Sequence, residues 1–190
     1  KIIASIQVRM NSNRLYGKVM SEVNGKPLLG YLIERLKKSK TLTNIIVSTS
    51  KNSENDVIEK YCYKNHVACY RGEEEDVLKR TTEALKIMDA DYGVQIYGDG
   101  PLISSEVVDF LVNKFFESDT NYDFMSNNLE TSFPPGMEAE VFTISAIKDA
   151  EKKNKDKNTR EHGTLFIRKN PHIYKIKNIK APKIWKRPDL

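Results

Sequence analysis

The sequence is poor in the residues that build disulfide frameworks, zinc sites and membrane spans. It has two cysteines, three histidines and one tryptophan in 190 residues. Cys62 and Cys69 are too few for a disulfide framework or a zinc site, so we expect them to fill space in the core. No apolar run approaches the ~18 residues of a membrane span, and a strand-like segment follows Lys1 where a signal peptide would lie. These absences predict a reduced, cytoplasmic protein with no membrane partner.

Charge is distributed unevenly along the chain. Residues 1–147 carry 17 Lys and Arg against 21 Asp and Glu, whereas residues 148–190 carry 14 against 5. A basic segment of this kind is typical of a solvated lysine-rich surface, and also of a surface that meets an anionic ligand or an acidic partner. No aromatic-studded motif of an RNA-binding fold accompanies it, so we expect no nucleic-acid partner.

Strand-like and helix-like segments alternate through the first 120 residues. Apolar runs predict strands at 2–8, 44–50, 67–70 and 92–97, and helical spacing predicts helices at 27–38, 53–64, 73–88 and 105–117. Ser53 and Asp56 are spaced as a capping box for the second helix. This order predicts an α/β fold with a mostly parallel sheet and helices on both faces.

The pattern changes after residue 120. The segments "DFMSN", "EVFTI" and 173–179 predict strands, and helices are expected at 145–153 and from Asn158 or Thr159 to Ile167. We therefore expect one domain over 1–190. Its nucleotide-binding core would occupy 1–120, and an α+β extension for acceptor binding or dimerisation would occupy 121–190.

The segment "QVRMNSNRLYGK" (7–18) follows the first predicted strand. Arg9, Arg14 and Lys18 supply positive charge, Ser12 supplies a neutral donor, and Gly17 permits a tight turn. Cations and free backbone N–H groups at the carboxyl end of a parallel strand suit a triphosphate. The spacing matches neither a Walker A loop nor a Rossmann fingerprint, and a solvated basic loop is the alternative.

The segment "YGDGPLI" (97–103) ends the fourth predicted strand. It places the carboxylate of Asp99 at the same edge of the sheet as the basic loop. Mg²⁺ is usually held by one or two carboxylates together with substrate phosphates, so Asp99 is a candidate magnesium ligand. A turn in which the aspartate bonds its own backbone is the alternative.

Six segments together resemble one protein family. In chain order, "SIQVRMNSNRLYGKVM", "VSTS", "YRGEEEDVL", "YGDGPLI", "GMEAEVF" and "REHGT" resemble the cytidylyltransferases, in particular the spore coat polysaccharide biosynthesis branch, which is related to the acylneuraminate and CMP-Kdo synthetases. The resemblance implies a three-layer, GT-A-like nucleotidyltransferase fold. It also implies CTP as donor, Mg²⁺ as cofactor, a nonulosonic or 2-keto sugar acid as acceptor, and a homodimer that serves polysaccharide or glycan biosynthesis.

The resemblance also implies roles for particular residues. Arg9, Arg14, Lys18 and Asp99 are expected to be catalytic, with Asp99 as the metal ligand. Glu138, Glu140 and His162 are expected near the acceptor. The expected nucleotide-binding residues are Gln7, Arg9, Met10, Asn11, Ser12, Arg14, Lys18, Ser48, Thr49, Ser50, Arg71 and Asp99.

Two other enzyme classes are alternatives. A sugar-1-phosphate nucleotidyltransferase would use another nucleoside triphosphate or acceptor, and a GT-A glycosyltransferase would consume a nucleotide sugar. The glycosyltransferase would need an Asp-x-Asp metal motif, whereas "GDGP" contains a single aspartate. Tyr16, Gly163 and Leu165 depart from the family pattern, which leaves the choice of sugar open.

Overall fold

Strand pairing organises the whole chain around one seven-stranded sheet. The computed structural model describes residues 1–12, 15–187 and 189, and Arg14 lies outside this set. The strands are β1 Ile2–Gln7, β2 Glu22–Val23, β3 Lys26–Pro27, β4 Asn44–Ser50, β5 Ala68–Gly72, β6 Tyr92–Tyr97, β7 Phe124–Ser126, β8 Ala139–Thr143 and β9 Ile176–Asn178. The helices are α1 Leu28–Leu36, α2 Asp56–Lys64, α3 Val77–Ile87, α4 Ser105–Phe116, α5 Ile144–Lys153, α6 Lys157–Arg160 and α7 Leu165–Lys169.

The large sheet has the order β5-β4-β1-β6-β8-β7-β9. Its strands are parallel except for β8, which runs antiparallel to both of its neighbours. In the centre of the sheet, Gln7 lies opposite Ser48 of β4 on one side and Tyr97 of β6 on the other. The carboxyl ends of β1, β4 and β6 are therefore level, so the segments that follow them share one edge.

Alternating side chains of the strands build two separate cores. Ala4 and Ile6 of β1 point to the face covered by α1, α2 and α4. Ile3 points to the other face, covered by α3, α5 and α7. Because successive side chains of a strand point to opposite faces, both faces of the buried central strands are apolar. The predicted three-layer α/β architecture with a mostly parallel sheet is confirmed.

Several helix boundaries differ from the sequence prediction. The helix expected at 73–88 begins at Val77, because the Asp76 carboxylate accepts from the backbone N–H of Lys79 and caps it there. The capping box of Ser53 and Asp56 is not formed; a 3₁₀ turn over Ser53–Asn55 precedes α2 instead. The Asp56 carboxylate forms an ion pair with Arg71, with Oδ1 of Asp56 2.7 Å from Nη1 of Arg71.

The helix expected from 158 or 159 to 167 is two short helices. Asp156 caps α6, accepting from the N–H groups of Asn158 and Thr159, so neither of those residues is the cap. Gly163, at φ 54°, lies between α6 and α7. A positive φ interrupts a right-handed helix, and the break turns α7 back onto the sheet.

A short hairpin was missing from the sequence prediction. β2 and β3 pair through Asn24 and Gly25, both at positive φ. Asn-Gly is the strongest short hairpin signal in a sequence, so this element was recognisable. The strands of the predicted extension, β7, β8 and β9, continue the same sheet as β1, β4, β5 and β6, whereas β2 and β3 pair only with each other.

The remaining sequence features have simple structural roles. Cys62 is buried and Cys69 half-buried, both as free thiols. Cys62 lies on the buried face of α2 and belongs to the same core as the apolar residues of α1. Trp185 packs against Phe110 of α4, with ring centroids 5.4 Å apart. Within the described ranges, the helices are too short or too polar to cross a lipid bilayer.

Candidate active site

The loop that follows β1 is folded back on itself at Met10. The backbone N–H of Val8 donates to Ser48 O at 3.1 Å, which continues the parallel pairing by one residue. Further along, the N–H of Gly17 donates to Met10 O at 2.8 Å. Gly17 has φ 68°, a conformation that favours glycine. This closure brings Lys18 back towards the strand end from which the loop departs.

Asn55 fastens this loop to the sheet and was missed by sequence reasoning. Its Oδ1 accepts from the N–H of Met10 at 2.8 Å, and its Nδ2 donates to Ser50 Oγ at 2.7 Å. Asn55 is fully buried. A polar residue before a helix ordinarily indicates a cap or a loop, so its sequence position carries no signal of this bridge.

The segment after β6 lies directly against the exit of β1. The N–H of Gly98 donates to Gln7 O at 3.1 Å. A Cβ at residue 98 would lie 2.2 Å from Val8 Cγ1 and 2.6 Å from Gln7 O. Only glycine permits this approach, and it brings Asp99 beside the start of the basic loop.

These two segments enclose a cavity of about 450 Å³ at the carboxyl edge of the sheet. Lys18 and Asp99 both line it, so the structure brings together the cation and the carboxylate that the sequence placed at two different strand ends. Arg14 is outside the described residues. The predicted site residues that line this cavity are Gln7, Arg9, Ser12, Lys18, Asp99 and His162.

Arg9 lies where this cavity meets two others. It also lines a cavity of about 540 Å³ behind the first, and one of about 950 Å³ between the 73–76 segment and α6. Asn11 lines the last of these. The Arg9 guanidinium lies 3.9 Å from a Glu74 carboxylate oxygen and 3.5 Å from one of Glu161. It is one-third exposed, so an incoming anion can reach it.

Ser48, Thr49 and Ser50 are completely buried. Ser50 Oγ accepts from Asn55, whereas Ser48 Oγ and Thr49 Oγ1 have no hydrogen-bond partner within residues 1–12, 15–187 and 189. These three hydroxyl groups therefore lie beneath the surface of the cleft, at the end of the strand that supports it.

Arg71 stabilises the connection between β4 and α2. Its guanidinium donates to the carbonyls of Ser50, Lys51 and Asn52 at 2.9 to 3.2 Å. It also pairs with Asp56 and Glu59. The donors of Arg71 are thus engaged by the protein itself, which gives this residue a positioning role beside its expected place in the nucleotide pocket.

Glu140 is buried under the 540 Å³ cavity, while Glu138 is half-buried. Oε1 of Glu140 accepts from Tyr97 Oη at 2.8 Å and from Asn128 Nδ2 at 3.1 Å. Oε2 of Glu140 accepts from Thr164 Oγ1 at 2.5 Å. An Arg168 nitrogen lies 3.4 Å away. Burial and the Glu140 charge raise the pKa of Tyr97 above its usual range, so this phenol keeps its proton at neutral pH. Glu140 is therefore a support for residues that line the cavity.

Arg80 is a second residue that sequence reasoning missed. It lies on the buried side of α3, 3% exposed, and donates to the carbonyls of Glu73 and Glu74 at 2.8 and 2.9 Å. Burial, and next the charge of Arg9, lower the pKa of Arg80 to about 10. It remains protonated at pH 7 and holds the 73–76 segment against the carboxyl end of β1.

The parallel sheet and the cationic cleft at its carboxyl edge define a nucleotide-binding α/β protein of the nucleotidyltransferase class. The chain belongs to the cytidylyltransferase family, whose sequence profile matches residues 3–186. Membership of this family makes it a CTP-dependent nucleotidyltransferase, and the predicted family and enzyme class are confirmed.

Individual relatives agree with this assignment. The chain is 29% identical over 192 residues to the spore coat polysaccharide biosynthesis protein SpsF of Bacillus subtilis, covering 98% of this chain and 78% of that protein. It is similar to the structure of a cytidylyltransferase from Leptospira borgpetersenii, with 30% identity and a TM-score of 0.87 over 95% of this chain and 75% of that one. It shares a fold, at 15% identity and a TM-score of 0.72, with CMP:2-keto-3-deoxy-manno-octonic acid synthetase complexed with CTP, over 95% and 90% of the two chains.

Proposed function

We propose that this protein transfers CMP from CTP to a sugar acid of the nonulosonic or 2-keto type, with release of pyrophosphate, for the synthesis of a surface polysaccharide or glycan. The observation that carries the proposal is the single cleft lined by Arg9, Ser12, Lys18 and Asp99. A triphosphate needs several cations and neutral donors at one place, and the β1 and β6 exits supply them.

The chain's residues would act mainly by positioning and by neutralising charge. The acceptor hydroxyl loses its proton as its oxygen bonds to the α-phosphorus, and the bond from that phosphorus to the bridging oxygen breaks. Arg9 would orient the phosphates, and Lys18 would stabilise the charge that grows on the leaving pyrophosphate. Arg14 is expected to stabilise the same charge as Lys18, and this expectation rests on the sequence alone.

We propose Asp99 as the ligand of a catalytic Mg²⁺. Within the described chain, no group of three or more His, Cys, Asp or Glu side chains could hold a metal by itself. A single carboxylate facing a phosphate site fits Mg²⁺, which takes its other ligands from phosphates and water. When bound, this ion neutralises phosphate charge and orients the reacting groups.

We place the acceptor in the 540 Å³ cavity behind the phosphate cleft. Gln7, Arg9, Tyr97 and His162 line both cavities, so the two cavities lie side by side. The arginines Arg9, Arg80 and Arg168 line the second cavity against the one lining carboxylate of Glu161. This excess of positive charge favours an anionic acceptor. A homodimer is a further proposal, supported by the sequence resemblance. A cytoplasmic location is another, supported by the two cysteines in 190 residues.

Two measurements test the proposed reaction. Thermal unfolding with CTP, ATP, GTP or UTP and Mg²⁺ should show the largest stabilisation by CTP, about 2.7 kcal/mol at 100 times its dissociation constant. Pyrophosphate release should then require CTP together with 2-keto-3-deoxy-manno-octonic acid or N-acetylneuraminate. Release with a sugar 1-phosphate in place of the acid, or a preference for another nucleotide, would contradict the proposal.

A further inference from the structure

Arg160 uses every donor of its guanidinium to join three helices. Its Nε and Nη2 donate to one oxygen, Oδ2 of Asp76, at 3.0 and 2.8 Å. Its Nη1 donates to the carbonyls of Glu151 and Asn154 at 2.9 and 2.7 Å, and Nη2 also donates to the Glu151 carboxylate at 3.3 Å. A guanidinium has five N–H groups, and these five contacts use all of them. Arg160 therefore ties the end of α5 and the helix α6 to the start of α3.

Asp76 is itself held in place by the helix that it caps. Its Oδ1 accepts from the backbone N–H of Lys79 at 3.0 Å, while Oδ2 faces Arg160. The side chains of Arg160 and Asp76 are only 14% and 26% exposed, so water screens the pair less than a surface ion pair. A lysine at residue 160 could keep the charge but not this arrangement of donors. The contact is thus a fixed link between the core at 1–120 and the extension at 121–190.

The helix α6 has little else to hold it. None of its four side chains, all within the described range 15–187, is buried. A single helical turn is too short to be stable by itself. Asp156 caps its first turn, and the Arg160 contacts hold its last residue. Hydrogen bonds and ion pairs, rather than apolar burial, therefore set where this helix lies.

The two residues that follow Arg160 lie where the three cavities meet. Glu161 lines the 950 and 540 Å³ cavities, and His162 lines the 540 and 450 Å³ cavities. Both residues are exposed, so burial does not fix their position. The turn is held at its far end by the buried Thr164, whose Oγ1 donates to Glu140. The contacts of Arg160 hold its near end.

We propose that Arg160 is a positioning residue of the transfer reaction, which acts through Asp76 to hold Glu161 and His162 at the junction of the cavities. The inference rests on the proposed function, because that function assigns the 540 Å³ cavity to the acceptor. Without the contact the turn is free, and an acceptor must order it on binding, which weakens its affinity. Residues at the exits of β1 and β6 belong to other segments, so the chemical step should be retained.

Hydrogen exchange followed by mass spectrometry tests the anchoring without any substrate. In Arg160→Lys, the amides of residues 157–163 should exchange at least about tenfold faster than in the wild type. Residues 105–116 of α4 should keep their rates, because a local opening leaves the rest of the fold closed. Arg35→Lys is the matched control. Arg35 belongs to α1 on the opposite face of the sheet, where its Nε donates to Ile103 O at 2.7 Å, so residues 157–163 should be unaffected.

Steady-state kinetics at saturating CTP, with 2-keto-3-deoxy-manno-octonic acid as acceptor, tests the effect on the reaction. Arg160→Lys should raise the KM for the acid about tenfold and change kcat less than about threefold, the pattern of lost binding rather than lost chemistry. Asp76→Asn should do the same, because asparagine still caps α3 but cannot neutralise Arg160. The double variant should show little further change, since both residues act through one contact.

Unchanged exchange of residues 157–163 in Arg160→Lys would overturn the anchoring. An unchanged KM, or a loss confined to kcat, would overturn the positioning role. If Arg160→Lys does not fold, Asp76→Asn decides both measurements. Faster exchange of residues 157–163 in the variant, without any pyrophosphate release by the wild type, would support the anchoring of the turn and refute the proposed function.

Discussion

Replacing Asn55 by alanine tests whether one buried amide holds the phosphate loop to the sheet. The change removes two hydrogen bonds, from Met10 N at 2.8 Å and to Ser50 Oγ at 2.7 Å. Because Asn55 is fully buried, water cannot replace the lost partners without entering the protein. The backbone N–H of Met10 would lose its partner, and Ser50 Oγ would keep only the longer hydrogen bond from the N–H of Asn52 at 3.4 Å.

The expected loss of stability follows from these two contacts. Each hydrogen bond contributes about 0.5–1.5 kcal/mol net, and an unpaired buried group costs about 1–3 kcal/mol. We expect Asn55→Ala to lower the free energy of unfolding by about 2–4 kcal/mol. For a chain of this length, each kcal/mol corresponds to about 2–4 °C, so the thermal midpoint should fall by about 4–16 °C.

Urea unfolding monitored by circular dichroism measures the stability, and CTP titration measures the effect on the loop. CTP affinity should fall about tenfold, because an unanchored loop must be ordered before Arg9 and Lys18 can bind phosphate. Asn113→Ala, at an exposed position of α4, is the matched control and should stay within about 0.5 kcal/mol of wild type. A loss below about 0.5 kcal/mol in Asn55→Ala would refute the reasoning.

Three further predictions address the cleft and the fold. Lys18→Ala should lower kcat about 100-fold or more with an unchanged thermal midpoint; the exposed Lys64→Ala is its control, and near-normal turnover would remove Lys18 from the mechanism. Gly98→Ala should reduce both stability, by about 1–3 kcal/mol, and turnover, because the new Cβ would collide with Val8 Cγ1 and Gln7 O and push Asp99 away. Burial raises the pKa of Asp109, but hydrogen bonds from Lys40, Ser39 and Thr41 outweigh burial and hold that pKa below its usual value. This carboxylate therefore stabilises the fold above its unfolded pKa of about 3.9, and the stability is lost as pH falls through the lower folded value. Urea unfolding of Asp109→Asn should show a deficit at pH 7 that disappears in strong acid, and a deficit independent of pH would contradict this account.

Local patterns predicted the elements of the sheet better than their ends. The strand at 92–97 has the same bounds in the structure, because an apolar run followed by Gly-Asp-Gly leaves little freedom. The helix expected at 73–88 was too long at its start, because helical spacing does not show that Asp76 caps α3. The Asn24-Gly25 hairpin was recognisable and was missed.

The residues that support the cleft were less predictable than those that line it. Arg9 and Asp99 are charged residues two positions after the end of an apolar strand, and Lys18 belongs to the loop that follows the first of these strands. Such positions indicate a ligand site at a sheet edge. Asn55 is an uncharged amide whose role depends on Met10, a partner 45 residues away in the sequence. No local pattern encodes such pairs.

The order of elements in the sequence determined the α/β class, the parallel core of the sheet and the edge at which a ligand binds. These follow from the periodicity of apolar residues and from the right-handed connections between parallel strands. The tertiary structure alone decided how close the β1 and β6 exits lie, through Gly98, and which buried amide fastens the basic loop to β4, through Asn55. The reason is physical: periodicity records which face of an element is buried, whereas contact distance and hydrogen-bond satisfaction depend on residues that only the packed sheet brings together.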